Sequence, residues 1–287
     1  MPDEALRRKA FAKVNLFLRV LAREASGYHG IETLFCLVDL ADELAAERRT
    51  GTAATIEVRG AELGDPAENL AVRAADMVLQ ATGRRFGVHL TLDKRSPVQA
   101  GLGGGSSDAA AALILTNQLA GSPVPRHELL QFAARLGSDV PFFVSEAHLA
   151  LAWGHGERML RLAPLPAAPA LLLVPPEGVP TAEAYAWVDG AGTGARRGGL
   201  ALDLDALRSW GDVARMAGND FESAVFARRP AVRTAFEALA GTHPLLCRMT
   251  GSGSTILAVY RTPGDRADAA MMLGRKHGRI VEVTAGG

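Results

Sequence analysis

Four glycines fall within five residues at Gly101-Leu102-Gly103-Gly104-Gly105, and Ser106-Ser107-Asp108 with a run of alanines follows at once. A stretch so poor in side chains neither sustains a helix nor fills a strand. Ser107 to Leu119, by contrast, is small and apolar with Ser and Asp at its start, and is expected to be helical. The segment therefore reads as a loop stripped of side chains that runs into a helix N-terminus. Unpaired N–H groups and the positive end of the helix dipole gather there, and such an end binds phosphate with neutral groups. The two serines add hydroxyl donors, and Asp108 can favour the first turn or help hold a metal. The plain alternative is a glycine turn capped by Ser-Ser-Asp. A Walker loop is excluded, since Gly105 is not followed by Lys-Ser/Thr. A dinucleotide fold is excluded as well, since the loop lies about a third of the way along the chain and ends in Ser.

Neutral phosphate binding agrees with the charge. Lys plus Arg and Asp plus Glu both number 31 in 287 residues, so there is no basic excess of the kind that nucleic acid or an anionic membrane draws on. At 48% hydrophobic and 22% charged, the chain can bury a sizeable core. Cys36 and Cys247 stand far apart in apolar settings without metal-ligand spacing, and read as reduced residues of a cytoplasmic protein. The N-terminus lacks the apolar run of a signal peptide, and no stretch approaches the roughly 18 apolar residues needed to span a bilayer.

Along the chain, strands are expected at Ala10–Leu21, Thr33–Leu40, Thr55–Arg59, Gly87–Asp93, Leu149–Trp153, Leu171–Val174 and Ile280–Val283, with another in the apolar segment that ends at Tyr260. Helices are expected at Asn69–Thr82, Ser107–Leu119, His127–Leu136, Ala182–Val188, about 203–210, 219–228 and 230–240, and Asp265–His277. Gly190 to Gly199 reads as a flexible loop. Ala163 to Pro169, rich in Ala and Pro, reads as a linker between domains at 1–162 and 163–287. The mixture is α/β or α+β in two lobes.

Two further places carry chemistry. Only four basic residues are lysines: Lys9, Lys13, Lys94 and Lys276. Lys13 and Asn15 share one face of the first strand, which puts a cation and an amide toward one cavity. A lone strand Lys is more often an exposed edge residue. Asp139, in Gly137-Ser138-Asp139-Val140-Pro141, is either a turn or cap residue or a base aimed at a hydroxyl.

Three motifs in this order resemble the GHMP kinase superfamily: Lys13 to Leu18, Pro97 to Ser107, and Thr250-Gly251-Ser252-Gly253. The strings AKVNLFLRV, GYHGIETLF, ENLAVRAA, GLGGGSSDAA, GSDVPFF, PTAEAY and RMTGSGS run from residue 12 to 254, and resemble the branch that acts on cytidine diphosphate-methylerythritol. The resemblance implies a two-domain α/β (α+β) GHMP kinase fold, with an N-terminal ribosomal-protein-S5-like ATP-binding lobe and a C-terminal α+β lobe. It implies transfer of the γ-phosphoryl of ATP, with Mg²⁺, to the 2-hydroxyl of that small-molecule substrate in the non-mevalonate isoprenoid pathway. By the same resemblance, Lys13 and Asp139 would be the catalytic pair, Lys13 keeping Asp139 ionised. Pro97, Val98, Gln99, Ala100, Gly101, Leu102, Gly103, Gly104, Gly105, Ser106 and Ser107 would bind ATP, with Asn69 and Lys94 near adenine and ribose. Asn15, Tyr28, His29, Thr181 and Tyr185 would contact the substrate, the two Tyr rings stacking on cytosine and His29 meeting the pyrimidine edge. Such a protein would be cytoplasmic, a monomer or weak homodimer, with no nucleic-acid or membrane partner.

Overall fold

In the computed structural model, residues 5–25, 27–191 and 203–287 are described. They pack into two compact units. The first takes the described residues up to Ala12, with Leu40–Val98 and Gly103–Ala147; the second takes Lys13–Asp39, Gln99–Leu102 and the described part of His148–Gly287. Two long strands, β1 (Leu6–Arg23) and β2 (His29–Arg49), contribute residues to both.

The first unit continues with β3 (Ala54–Arg59), α1 (Leu70–Ala81), β4 (Gly87–Asp93), α2 (Gly104–Leu119), α3 (Arg126–Leu136) and α4 (Val140–Val144). β4 is flanked by β3, parallel with Ala54 opposite Val88, and by the second half of β2, antiparallel with Glu43 opposite Asp93. Its pleat is plain in the burial: Val88, Leu90 and Leu92 are buried, while His89, Thr91 and Asp93 alternate with them half-buried. α1 packs on α2, and both bury mainly small residues, Ala71, Ala74 and Ala75 on one and Ala109 to Ala112 on the other. Small side chains let two helices approach closely.

The second unit adds β5 (Leu149–Gly154), β6 (Arg158–Leu162), β7 (Ala168–Val174), α5 (Thr181–Ala191), α6 (Trp210–Met216), α7 (Phe221–Arg228), α8 (Pro230–Ala240), β8 (Leu246–Met249), β9 (Ile256–Val259), α9 (Pro263–Leu273) and β10 (Arg279–Ala285). β7 lies between β10 and β9, with β8 beyond β9, all antiparallel. β10 meets β2 where Ala285 faces Val38, and β5 pairs with Ile31 to Cys36 of β2 before turning back as β6. Leu171, Leu172 and Leu173 are all buried, so both faces of β7 are covered. Leu18, Val188, Phe221, Val225 and Met249 form one apolar cluster of this unit; Leu171, Leu239, Ala258 and Tyr260 belong to another.

Several boundaries depart from expectation. β2 runs past Leu40 to Arg49 although Ala41 to Arg49 carries good helix formers; the ladder with β4 overrides propensity. α2 begins at Gly104, three residues early, its first turn closed by Ser107 N–H donating to the carbonyl of Gly103 at 2.9 Å. The expected helix near 203–210 is a 3-10 turn at Leu204–Arg208, and the α-helix starts at Trp210. α9 stops at Leu273, before Gly274, rather than at His277. α4, β6 and β8 have no counterpart among the expected elements. From residue 192 on, the Gly190 to Gly199 loop lies outside the described residues. Both cysteines are free, and burial pushes each thiol up to about 12. Among the described residues no helix is long and apolar enough to cross a membrane.

Candidate active site

The glycine loop takes its shape from two demands on the backbone. Gly101 has φ +79°, and a Cβ there would collide with the carbonyl of Thr250. Gly103 stands at the N-cap of α2 in the left-handed region, φ 68° and ψ 17°, and turns the chain into the helix. No side chain caps α2. Its first-turn N–H groups are therefore not satisfied by a cap, and the space next to the Cβ position of Gly105 is open. Such a terminus offers backbone donors and a positive dipole end to an anion.

In the second unit Lys13 is 4% exposed, so the edge-residue reading fails. Its backbone N–H donates to Leu102 O at 2.9 Å. Its Nζ donates to Asn15 Oδ1 at 2.8 Å and lies 5.0 Å from the centre of the Phe35 ring. The two-residue strand period does place Lys13 and Asn15 together. Asn15 Nδ2 donates to Thr33 Oγ1 at 2.7 Å, and Gly251 N–H donates to Asn15 Oδ1 at 3.0 Å. Thr250 Oγ1 accepts from Asn15 N–H at 2.9 Å, and Asn219 Nδ2 donates to the carbonyls of Met249 and Gly251. Thr33 and Asn219 were missed by sequence reasoning. Thr250 was visible only as part of its glycine turn.

The recognition candidates form an aromatic group in the same unit. His29 and Tyr185 stack, with centroids 5.0 Å apart and planes 16° from parallel, and Tyr185 meets Phe221 edge-on at 4.9 Å. His29 Nε2 lies 2.7 Å from Asp189 Oδ1. Tyr28 is exposed and tilts against His155 at 5.3 Å. Thr181 Oγ1 is 3.1 Å from Ser252 Oγ. Asp189 was also missed; its only signal is a place one helical turn after Tyr185 on α5.

In the first unit Asp139 is half-buried and precedes α4, yet its side chain does not cap that helix. Asn69 caps α1, accepting from Ala71 N–H at 2.9 Å. Lys94 is held between two acids, its Nζ donating to Asp42 Oδ2 and Asp108 Oδ2 at 2.6 Å each. The three side chains are 3%, 0% and 2% exposed. Burial pushes the Asp42 carboxyl up, but the hydrogen bond and charge of Lys94, together with Ser96, outweigh it and hold the carboxyl below its usual range. Burial, with the charge of Asp42 alongside, drives Asp108 up to about 7 against the pull of Lys94. Asp108 Oδ1 is buried without a partner. Among the described residues no three His, Cys, Asp or Glu side chains converge as metal ligands.

The N-terminal domain of GHMP kinases matches residues 69–147, and the C-terminal domain of GHMP kinases matches residues 203–280. The 4-diphosphocytidyl-2-C-methyl-D-erythritol kinase of a Polaromonas species is 37% identical, over 90% of this chain and 84% of the relative. That of Parvibaculum lavamentivorans is 36% identical over 97% of each. A crystal structure of 4-(cytidine 5'-diphospho)-2C-methyl-D-erythritol kinase superposes with TM-score 0.81 at 36% identity, covering 98% of this chain and all of that one. Homoserine kinase from Cytophaga hutchinsonii, at 19% identity and TM-score 0.70 over 98% of this chain and 95% of its own, shares the fold.

Proposed function

We infer the activity from one premise: this chain belongs to the 4-diphosphocytidyl-2-C-methyl-D-erythritol kinase family, with the N- and C-terminal domains of GHMP kinases. It moves the γ-phosphoryl group of ATP to the 2-hydroxyl of 4-diphosphocytidyl-2-C-methyl-D-erythritol, a step toward isoprenoid precursors. The substrate oxygen forms a bond to the γ-phosphorus, the bond to the bridging oxygen breaks, and ADP leaves. The observation that carries the ATP half is the uncapped start of α2 behind Gly101 and Gly103.

Asp139 is assigned the hydroxyl proton, as a half-buried carboxylate at the start of α4. Lys13 steadies charge developing on the transferred group; its burial beside Asn15 supports a fixed position rather than a solvated one. ATP lies on Pro97 to Ser107 and brings Mg²⁺ as part of the substrate complex, with Asn69 toward adenine and ribose, while the Lys94 ammonium is taken up by Asp42 and Asp108 and supports the loop instead. Asn15, Tyr28, His29, Thr181 and Tyr185 take the cytidylyl substrate. Tyr185, wedged between His29 and Phe221, offers a rigid ring for cytosine. The enzyme works in the cytoplasm as a monomer or weak homodimer.

The purified chain should turn over ATP with the cytidylyl substrate and yield its 2-phosphate. Turnover of homoserine or mevalonate in its place would overturn the assignment. Asp139→Asn should lower kcat by about 10²–10⁴-fold while ADP still binds; a variant retaining most of its rate would remove Asp139 from the base role.

A further inference from the structure

Asp42 has no part in the chemistry above, yet its carboxylate is fully buried and accepts four hydrogen bonds. Oδ1 accepts from Arg95 N–H at 2.6 Å and Ser96 N–H at 2.7 Å. Oδ2 accepts from Ser96 Oγ and Lys94 Nζ, both at 2.6 Å. Lys94 Nζ passes the connection on to Asp108 Oδ2 at 2.6 Å.

The positions of these partners in the chain matter more than their number. Residues 94 to 96 lead directly into the loop Pro97 to Ser107, and Asp108 is the residue that leaves it. One buried ionic network therefore ties the entry of the glycine loop to its exit, with Asp42 of β2 as the fixed point. The network also lies against the helix start. A Cβ on Gly104 would sit 2.5 Å from Ser96 Oγ and 2.9 Å from Lys94 Nζ. Holding the two ends of a loop together removes much of the freedom it would otherwise lose on binding, and a receptor ordered in advance binds more tightly.

We propose that Asp42 is a positioning residue for the nucleotide: through Lys94, Ser96 and Asp108 it closes the neck of the phosphate loop and sets its amides before ATP arrives. This rests on the reading of that loop as the ATP seat. Asp42 acts at a distance from the phosphates, so its loss affects nucleotide affinity and not the chemical step.

The test is Asp42→Asn in the full chain, a change that keeps shape and removes the charge facing Lys94. The KM for ATP and the Kd for ADP should both rise by about tenfold, the loss of one hydrogen bond to a charged group. The kcat and the KM for the cytidylyl substrate should stay within about twofold. Ser96→Ala, which deletes one neutral donor and leaves the charges in place, serves if Asp42→Asn does not fold; it should raise both ATP constants by about threefold. Variants that melt at lower temperature but bind ADP like the wild type would overturn the proposal, since a merely structural carboxylate behaves that way. A wild-type chain that bound no ADP would overturn the ATP reading of the loop itself.

Discussion

Two acid–base pairs of nearly equal length behave as different objects. Lys94 and Asp42 meet at 2.6 Å with side chains 3% and 0% exposed. His29 and Asp189 meet at 2.7 Å, but the carboxylate of Asp189 is 37% exposed. In the first pair each charge has lost its water and depends on its partner, so the protein cannot lose one member cheaply. In the second, water screens the acid, and the contact adds little to stability while still fixing the orientation of the imidazole ring. Burial rather than distance decides whether a pair holds a fold together or tunes a surface.

The contrast is tested hardest by Lys94→Met. Two buried carboxylates would then face each other without their cation, and the chain should lose about 3–5 kcal/mol in urea unfolding. A loss under about 1 kcal/mol would put Lys94 in the same class as the exposed pair. Adding Asp42→Asn and Asp108→Asn to that variant should restore much of the loss, because a neutral network leaves no unpaired charge.

Asp108 gives the next largest effect, and it depends on pH. Its folded value, about 7, lies above the roughly 3.9 of an unfolded aspartate. Between about pH 4 and 7 the folded chain keeps a proton that the unfolded chain has released, so stability falls as pH rises through that window. The ceiling of the effect is about 4 kcal/mol, from about three units at 1.36 kcal/mol each. Asp42 has the opposite sign: its carboxyl is held below the usual value, so its contribution is present above the unfolded value and lost as acid protonates it. Asp108→Asn should flatten the fall between pH 4 and 7 in unfolding midpoints. An unchanged slope would show that Asp108 is ionised throughout.

What could be read in the chain follows from how far apart the interacting residues lie. The glycine loop, the period-two pairing of Lys13 with Asn15 and the helix over Leu70–Ala81 are all local, and each was legible. The network of Asp42 joins residues 52 apart, and the contact of His29 with Asp189 spans 160. Nothing near Asp42 in the chain marks it, since its neighbours have helix propensity and only the ladder to β4 makes them a strand. The family resemblance pointed to His29 and Tyr185 separately, but their stacking on each other depends on how α5 packs within its unit. α2 likewise begins inside the glycine string, against the low helix propensity of glycine.

The smallest expected change in stability is for Asp189→Ala, and it is the most informative for recognition. Removing a carboxylate that is more than a third exposed should shift urea stability by less than about 1 kcal/mol. Its effect should appear in substrate binding instead. Asp189 holds one ring nitrogen of His29, and in the proposed role leaves the other nitrogen for the pyrimidine edge. Without it the ring loses that contact and keeps its stack on Tyr185, and the KM for the cytidylyl substrate should rise by about three- to tenfold, the worth of one hydrogen bond, with the KM for ATP unchanged. Equal rises in both constants would mean that Asp189 supports the fold like the buried pair. A stability loss of several kcal/mol would erase the difference between the two pairs.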